Sequence, residues 1–394
     1  MQSTGNKMAS RLPKGVVALG FVSLFMDVSS EMIHGLLPLF LTGTLGASAL
    51  IVGLIEGTGE AVALITKVFS GALSDRIGRR KPLVVLGYGL AAITKPVFAV
   101  AGSVPLVLGA RLSDRLGKGI RGAPRDALLA DLAPEGRRGA VFGLRQTMDT
   151  VGAFAGPLIA IAVMALSGGN IRLVFWLAVL PAVLAIAVLI RGVEEPETKA
   201  VTAPRAVFDR HLVGALGRGF WGIVVLGAVI SFGRISEAFL ILAASDRGLS
   251  TALAPVVLVT LNVIYAAVAW PAGVLSDTIG RRGLLVLSLV VLALSQGVLA
   301  IGATLPAVFL GVALWGLHMG LSQGLLSAAV ADAVPAHLRG TGFGVFNLSS
   351  GLAVLAANTI AGVLWAGIGP GATFGLGAAA ALAALVLGAA AIRR

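Results

Sequence analysis

Asp27, Glu31 and His34 follow one another at steps of four and three inside an apolar run, so a helix carries all three on one face. Two carboxylates and an imidazole placed together can take up and release protons, or hold a divalent cation through oxygen and nitrogen ligands. Glu56 and Glu60 repeat the four-residue step in the next apolar run, with Lys67 two turns further on. A later run carries Arg111, Asp114, Lys118, Arg121 and Arg125 at steps of three, four, three and four, which reads as one polar stripe down a helix. Arg145 and Asp149, four apart, suit an intrahelical pair.

These charges matter because of where they lie. Hydrophobic residues make up 57% of the 394-residue chain and charged residues 12%, with a mean hydropathy of +0.97. A soluble domain carries about 25% charged residues. Twelve apolar segments long enough to span a bilayer are expected near 14–44, 48–73, 82–103, 104–131, 137–166, 172–192, 213–244, 250–275, 284–304, 305–331, 340–366 and 371–392. The first reads as a retained span rather than a signal peptide, because it is long and carries Asp27, Glu31 and His34. An ionisable group at mid-membrane costs roughly 2.5–3.5 kcal/mol or more, so it persists when paired, wet or functional.

The first half is rich in such groups. Its spans hold the acids Asp27, Glu31, Glu56, Glu60, Asp114, Asp126, Asp131 and Asp149. Its bases are Lys67, Lys95, Arg111, Arg115, Lys118, Arg121, Arg125 and Arg145. The second half offers Arg234, Glu237 and His318 in span interiors. Arg234 and Glu237 are three apart and are candidates to pair, or to meet a substrate.

The net charge of +12 reports topology rather than nucleic-acid binding. With a cytoplasmic N-terminus, eighteen Lys and Arg fall on cytoplasmic segments or span ends, and only Arg172 and Arg247 fall outside. That is the positive-inside pattern of an even number of spans, both termini in the cytoplasm, in an inner membrane. There is no cysteine, so neither a disulfide framework nor a thiolate metal site is possible.

Two internal repeats share nearly one offset. GALSDRIGRRK (71–81) recurs as GVLSDTIGRRG (273–283), and ADLAPEGRRGAVFGL (130–144) as ADAVPAHLRGTGFGV (331–345), offsets of 202 and 201. A duplicated unit of six spans is expected: residues 1–192, a cytoplasmic linker at 193–212, and residues 213–394. Moved by 201, the span-4 stripe becomes Val312, Trp315, Met319, Ser322 and Leu326, all uncharged, while Gly119 recurs as Gly320. The charge is therefore not required by the packing of that helix.

The loop between spans 2 and 3, Gly71-x-x-x-Asp75-Arg76-x-Gly78-Arg79-Arg80-Lys81, resembles the signature loop of the major facilitator superfamily. Its second copy, with Asp277 and Arg281, resembles the same loop. Arg111-x-x-Asp114-Arg115-x-Gly117-x-Gly119 is similar to the family's span-4 motif, although Asp114 and Arg115 stand where Gln and Gly are usual. Gly152-x-x-x-Gly156-Pro157 partly resembles its antiporter-associated span-5 motif, with Ala160-Ile161 in place of the usual trailing Gly-Gly. The resemblance covers the whole chain. It implies an all-α membrane protein, twelve transmembrane helices in two six-helix bundles, with spans 1, 4, 7 and 10 around a central cavity. It implies that Gly71, Asp75, Arg76, Gly78, Arg79, Arg80, Asp277 and Arg281 form a gate that holds the halves together when the cavity faces outward. It also places Asp27, Glu31, Arg111, Lys118, Arg121, Arg234, Glu237, Trp315 and His318 near one path.

The function expected is alternating-access transport of a small solute. The first half, with Asp27, Glu31, His34, Glu56 and Glu60, is expected to handle protons, and the second to shape a more apolar wall. Export of a small amphiphilic compound against protons is the leading reading. Transport of an anionic metabolite on the span-4 bases, or of a metal ion on Asp27, Glu31 and His34, are alternatives. Lys118, Arg121 and Arg125 either bind such an anion or neutralise Glu56, Glu60 and Asp149. His34 and His318 read as hydrogen-bonded histidines or as ligands, and Trp315 as cavity wall or packing. No enzyme is expected: there is no G-x-x-x-x-G-K-[ST] phosphate loop and no nucleophile set. The expected partners are a small solute, protons and lipid, with no nucleic acid, no cofactor beyond a proton gradient, and a monomeric chain.

Overall fold

The structure, a computed structural model, describes residues 12–134, 137–195, 216–322, 324–335 and 338–392. Its helices run α1 Lys14–Thr44, α2 Ala49–Ile77, α3 Lys81–Val100, α4 Val104–Leu132, α5 Arg138–Leu166, α6 Ile171–Gly192 and α7 Arg218–Asp246. The 46-residue helix Val256–Ile301 is two spans joined at Gly280, α8 (256–279) and α9 (Gly280–Ile301). α10 Leu305–Ala333, α11 Arg339–Gly367 and α12 Pro370–Ile392 complete the set. Eleven of these are long and apolar enough to cross a membrane. α4 is equally long at 29 residues, but its charges keep it out of that group. With an even number of spans, the start of α1 and the end of α12 lie on one side, here called the terminal side; the other is the far side.

Breaks in the helices follow from local chemistry. In α1 the regular helix ends at His34. Pro38 has no N–H to give the His34 carbonyl, and the chain continues through Leu37–Leu39 into a π turn at Phe40–Thr44. In α7 the regular helix stops at Gly233 and restarts at Glu237, with Arg234 extended away at ψ 78.

The duplication is visible in packing. A Cβ on Gly119 of α4 would meet the Ala63 carbonyl and Thr66 of α2 at 2.8 and 2.6 Å. A Cβ on Gly320 of α10 would meet the Tyr265 carbonyl and Val268 of α8 at 3.2 and 2.9 Å. These partners are themselves 202 residues apart. Gly78 and Gly280, also 202 apart, both take positive φ (67° and 72°), the turn between successive spans that a side chain would resist. Each half also ties its loop arginine to the acid at the end of its fourth span. Arg80 Nε lies 2.5 Å from Asp131, and Arg281 Nη1 lies 2.8 Å from Asp332.

The halves meet along α2 and α11 and along α5 and α8. Gly53 rests against the Asn358 carbonyl, a Cβ on Gly57 would lie 3.2 Å from Leu355 Cα, and one on Gly362 would lie 2.7 Å from Leu50 Cα. Asn262 Nδ2 of α8 donates to the Ala153 carbonyl of α5 at 3.1 Å. Gly35, at the break in α1, abuts Pro255 ahead of α8. These contacts lie between the middle of the spans and the far side. Towards the terminal side Lys67, Asp75 and Lys118 are exposed. Residues 196–215, most of the expected linker, lie outside the described residues, but its start is anchored: Glu195 accepts from the Arg80 and Lys81 amides at 2.7 and 2.8 Å.

Candidate functional site: a buried charge network

On α1, Asp27 and Glu31 face α5. A Cβ on Gly152 would fall 2.9 Å from the Cβ of Asp27, and one on Gly156 would fall 2.8 Å from that of Glu31. The span-5 glycines thus let α5 close onto α1 at the level of its two carboxylates, one glycine to each. His34, one turn further, is shared: Nδ1 lies 3.5 Å from Glu31 and Nε2 lies 3.9 Å from Glu56 of α2. Glu56 in turn accepts from Arg111 Nη2 of α4 at 2.6 Å, and both are buried. Glu60, one turn along α2, is held by Arg115 at 2.8 Å. A row of charged groups therefore crosses three helices, Glu31, His34, Glu56 and Arg111, with the 3.9 Å His34–Glu56 step too long for a hydrogen bond.

The stripe expected on α4 is divided among its neighbours. Asp114 turns to α3, where Lys95 Nζ meets it at 2.9 Å and also reaches Ser30 of α1 at 3.1 Å. The Arg121 guanidinium lies 4.5 Å over the Tyr88 ring of α3. Arg125 pairs with Asp126 at 3.2 Å and approaches Ser23 and Tyr88. Lys118 is exposed and makes no ion pair among the described residues, yet it lies within electrostatic reach of Glu60 and Asp27.

The expected neutralisation is therefore corrected: Lys118, Arg121 and Arg125 are not the direct ion-pair partners of the expected acids, although Lys118 acts on Glu60 and Arg125 on Asp149 at longer range. Glu56, Glu60 and Asp149 are paired by Arg111, Arg115 and Arg145, the last at 2.6 Å within α5. The physical reason is that α4 sits between α2 and α3. Each residue turns the helix by about 100°, so Arg115, one position off the stripe, joins Arg111 in pointing to α2. Arg115 and Lys95 are members of the network that spacing alone did not select, although both are charges inside an apolar span.

In the second half Arg234 and Glu237 are not paired, a second correction. The break in α7 sends them apart. Arg234 Nε donates to His318 Nε2 at 2.9 Å and Nη2 donates to Ser322 Oγ at 2.5 Å, both on α10. His318 Nδ1 lies 2.7 Å from the Ser288 carbonyl of α9. Glu237 lies within electrostatic reach of His34, Glu31, Glu60 and Lys118 across the space between the bundles. Trp315 is 3% exposed and sits in the apolar core, so it is packing rather than cavity wall. Among the described residues no group of three His, Cys, Asp or Glu is arranged to hold a metal ion.

The signature loop lies on the terminal side. Asp75 accepts from Arg80 at 3.3 Å, and Arg80 also holds Asp131. Arg76 and Arg79 are exposed. A Cβ on Gly71 would lie 3.2 Å from that of Ala123 on α4. The side chain of Asp277 lies outside the described residues, while its neighbour Arg281 takes Asp332.

The sequence profile of the Major Facilitator Superfamily matches residues 19–260 and 223–394. An uncharacterized MFS-type transporter of Methanocaldococcus jannaschii is 30% identical over 384 residues, covering 96% of this chain and 94% of that one. A citrate-proton symporter of Klebsiella pneumoniae is 26% identical over 322 residues, covering 75% and 71%. Among solved structures, a crystal structure of the peptide transporter POT in complex with sulfate superposes with a TM-score of 0.78 at 18% identity, covering 97% of this chain and 94% of that one.

Proposed function

The chain belongs to the major facilitator superfamily, a family of membrane transporters and not of enzymes, and from that premise we propose that it is a proton-coupled secondary transporter exporting a small organic solute. The observation that carries the reading is His34, shared between Glu31 and Glu56 while Asp27 stands on the same face of α1 without an ion pair among the described residues. Glu56 and Glu60 are neutralised by arginines, which leaves Asp27, without an ion pair among the described residues, and Glu31, paired with the titratable His34, as the carboxylates that exchange protons. The packing of Gly152 and Gly156 onto those two residues supports coupling between proton occupancy and the α1–α5 contact. The partial likeness of that glycine motif to the antiporter motif supports export.

We take the terminal side as cytoplasmic, following the distribution of Lys and Arg. The far-side contacts and the exposure of Lys67 and Lys118 then support an opening towards the cytoplasm. Among the described residues the ion pairs of Asp75, Arg80 and Asp131 stay within the first half, which is consistent with that opening. The site works as a monomer in a cytoplasmic (inner) membrane.

The test uses purified protein in liposomes under an imposed pH gradient. A transported compound should collapse the gradient as it moves. A compound whose transport is verified, yet moves with no proton flux, rules out the coupling.

A further inference from the structure

Four buried polar side chains of the second half gather around the break in α7, two on its backbone and two on Arg234. Gln296 of α9 donates to the Gly233 carbonyl at 2.7 Å, and Asn358 of α11 accepts from the Ser236 amide at 2.8 Å. These two bonds fix the break in α7 on either side of Arg234. His318 and Ser322 of α10 then fix its guanidinium. Gln296 and His318 are 0% exposed and Asn358 is 1% exposed.

The hydrogen-bond chain also sets the state of His318. A carbonyl accepts only, so Nδ1 donates to Ser288 and Nε2 keeps the lone pair that receives Arg234. His318 is thus neutral, and Ser322 is neutral as well. Arg234 has no carboxylate in ion-pair range among the described residues, and its Nη1 makes no hydrogen bond to them. Glu237, three residues on, acts on it electrostatically beyond ion-pair range and also feels His34, Glu31, Glu60 and Lys118 of the first half. A mid-span guanidinium without a carboxylate in direct contact is costly, and here it is held in one direction by residues that bring no charge. On the first half, by contrast, Arg111 and Arg115 are consumed by Glu56 and Glu60.

We propose that Arg234 seats a negatively charged group of the transported solute, a carboxylate or a phosphate, so that the solute is an organic anion. The inference rests on the transport reading above and names its substrate class. It places the anion site on the second half, not on the α4 stripe. Arg234 binds; His318 and Ser322 are positioning residues.

The experiment is thermal melting of the detergent-solubilised full chain at constant ionic strength, with benzoate, citrate or phenyl phosphate, and with neutral benzamide as control. At least one anion should raise the melting temperature by several degrees while benzamide leaves it unchanged. The set that responds separates a carboxylate from a phosphate preference. Arg234→Gln should fold, melt no lower than wild type without ligand, and lose the shift. If that variant does not fold, Arg234→Lys keeps the charge without the two-pronged geometry and should weaken the anion effect. His318→Gln should weaken it without abolishing it. Absence of any anion shift in the wild type, or an equal shift in the Arg234 variants, overturns the inference. Melting does not depend on proton movement. A clean anion shift with no proton flux would therefore sink the coupling and leave this site standing.

Discussion

A methyl group on Gly156 of α5 would lie 2.8 Å from the Cβ of Glu31 on α1, with the Val28 carbonyl equally close. The two helices touch at the level of a carboxylate inside the membrane. Gly152 repeats the relation at Asp27, one turn away. Any larger residue at either glycine must push α5 away from the acids.

Gly156→Val should therefore cost about 1–3 kcal/mol through overpacking, read as a lower melting temperature, and should slow transport in proportion to expressed protein. Gly143, where an added Cβ meets nothing within 4 Å, is the control, and Gly143→Ala should be silent. Equal effects at the two glycines would show that the α1–α5 contact is not special.

Glu56 and Arg111 are both buried and 2.6 Å apart. Removing one leaves the other as an uncompensated charge, at about 3–5 kcal/mol. Arg111→Ala or Glu56→Ala alone should be strongly destabilised, and the double variant should recover most of the loss. A thermal or denaturant double-mutant cycle checks this, and additive losses would contradict a direct pair.

Lys95 and Asp114 form a second buried pair, 2.9 Å apart, between α3 and α4. Lys95→Met should destabilise the protein. Lys95→Met with Asp114→Leu should restore melting and retain transport, because this pair lies outside the path through His34. Loss of transport in a well-folded double variant would draw Asp114 into the mechanism.

The architecture was legible from the sequence because duplication leaves a trace in its own numbering. The offsets near 202 anticipate the matching glycines Gly78 and Gly280, and Gly119 and Gly320. They also anticipate the paired loops in which Arg80 and Arg281 hold Asp131 and Asp332. The partners within the charge network were not legible. Spacing puts Lys118 on the stripe and Arg115 off it, but the positions of α2 and α3 decide which one reaches a carboxylate. The break in α7 has only weak local signals, Gly233 and the capping Ser236, and it separates Arg234 from Glu237. Gln296 and Asn358, which support that break, carry no charge and read in sequence as ordinary polar residues of apolar spans.

On the terminal side, Arg80 holds Asp75 and Asp131 while Glu195 caps the start of α3. Asp75→Asn should lower transport while leaving expression and melting nearly unchanged, because Asp75 is exposed. Transport at the wild-type rate would remove Asp75 from the gate.

The central claim is that Asp27 and Glu31 carry the proton that the solute exchanges with. Its most direct test is proton flux in proteoliposomes with a pH-sensitive dye inside, comparing wild type with Asp27→Asn and Glu31→Gln. Wild type should show flux on addition of a compound that stabilises the purified protein. The variants should still be stabilised by that compound but move no protons. Undiminished proton flux in both variants would contradict the account.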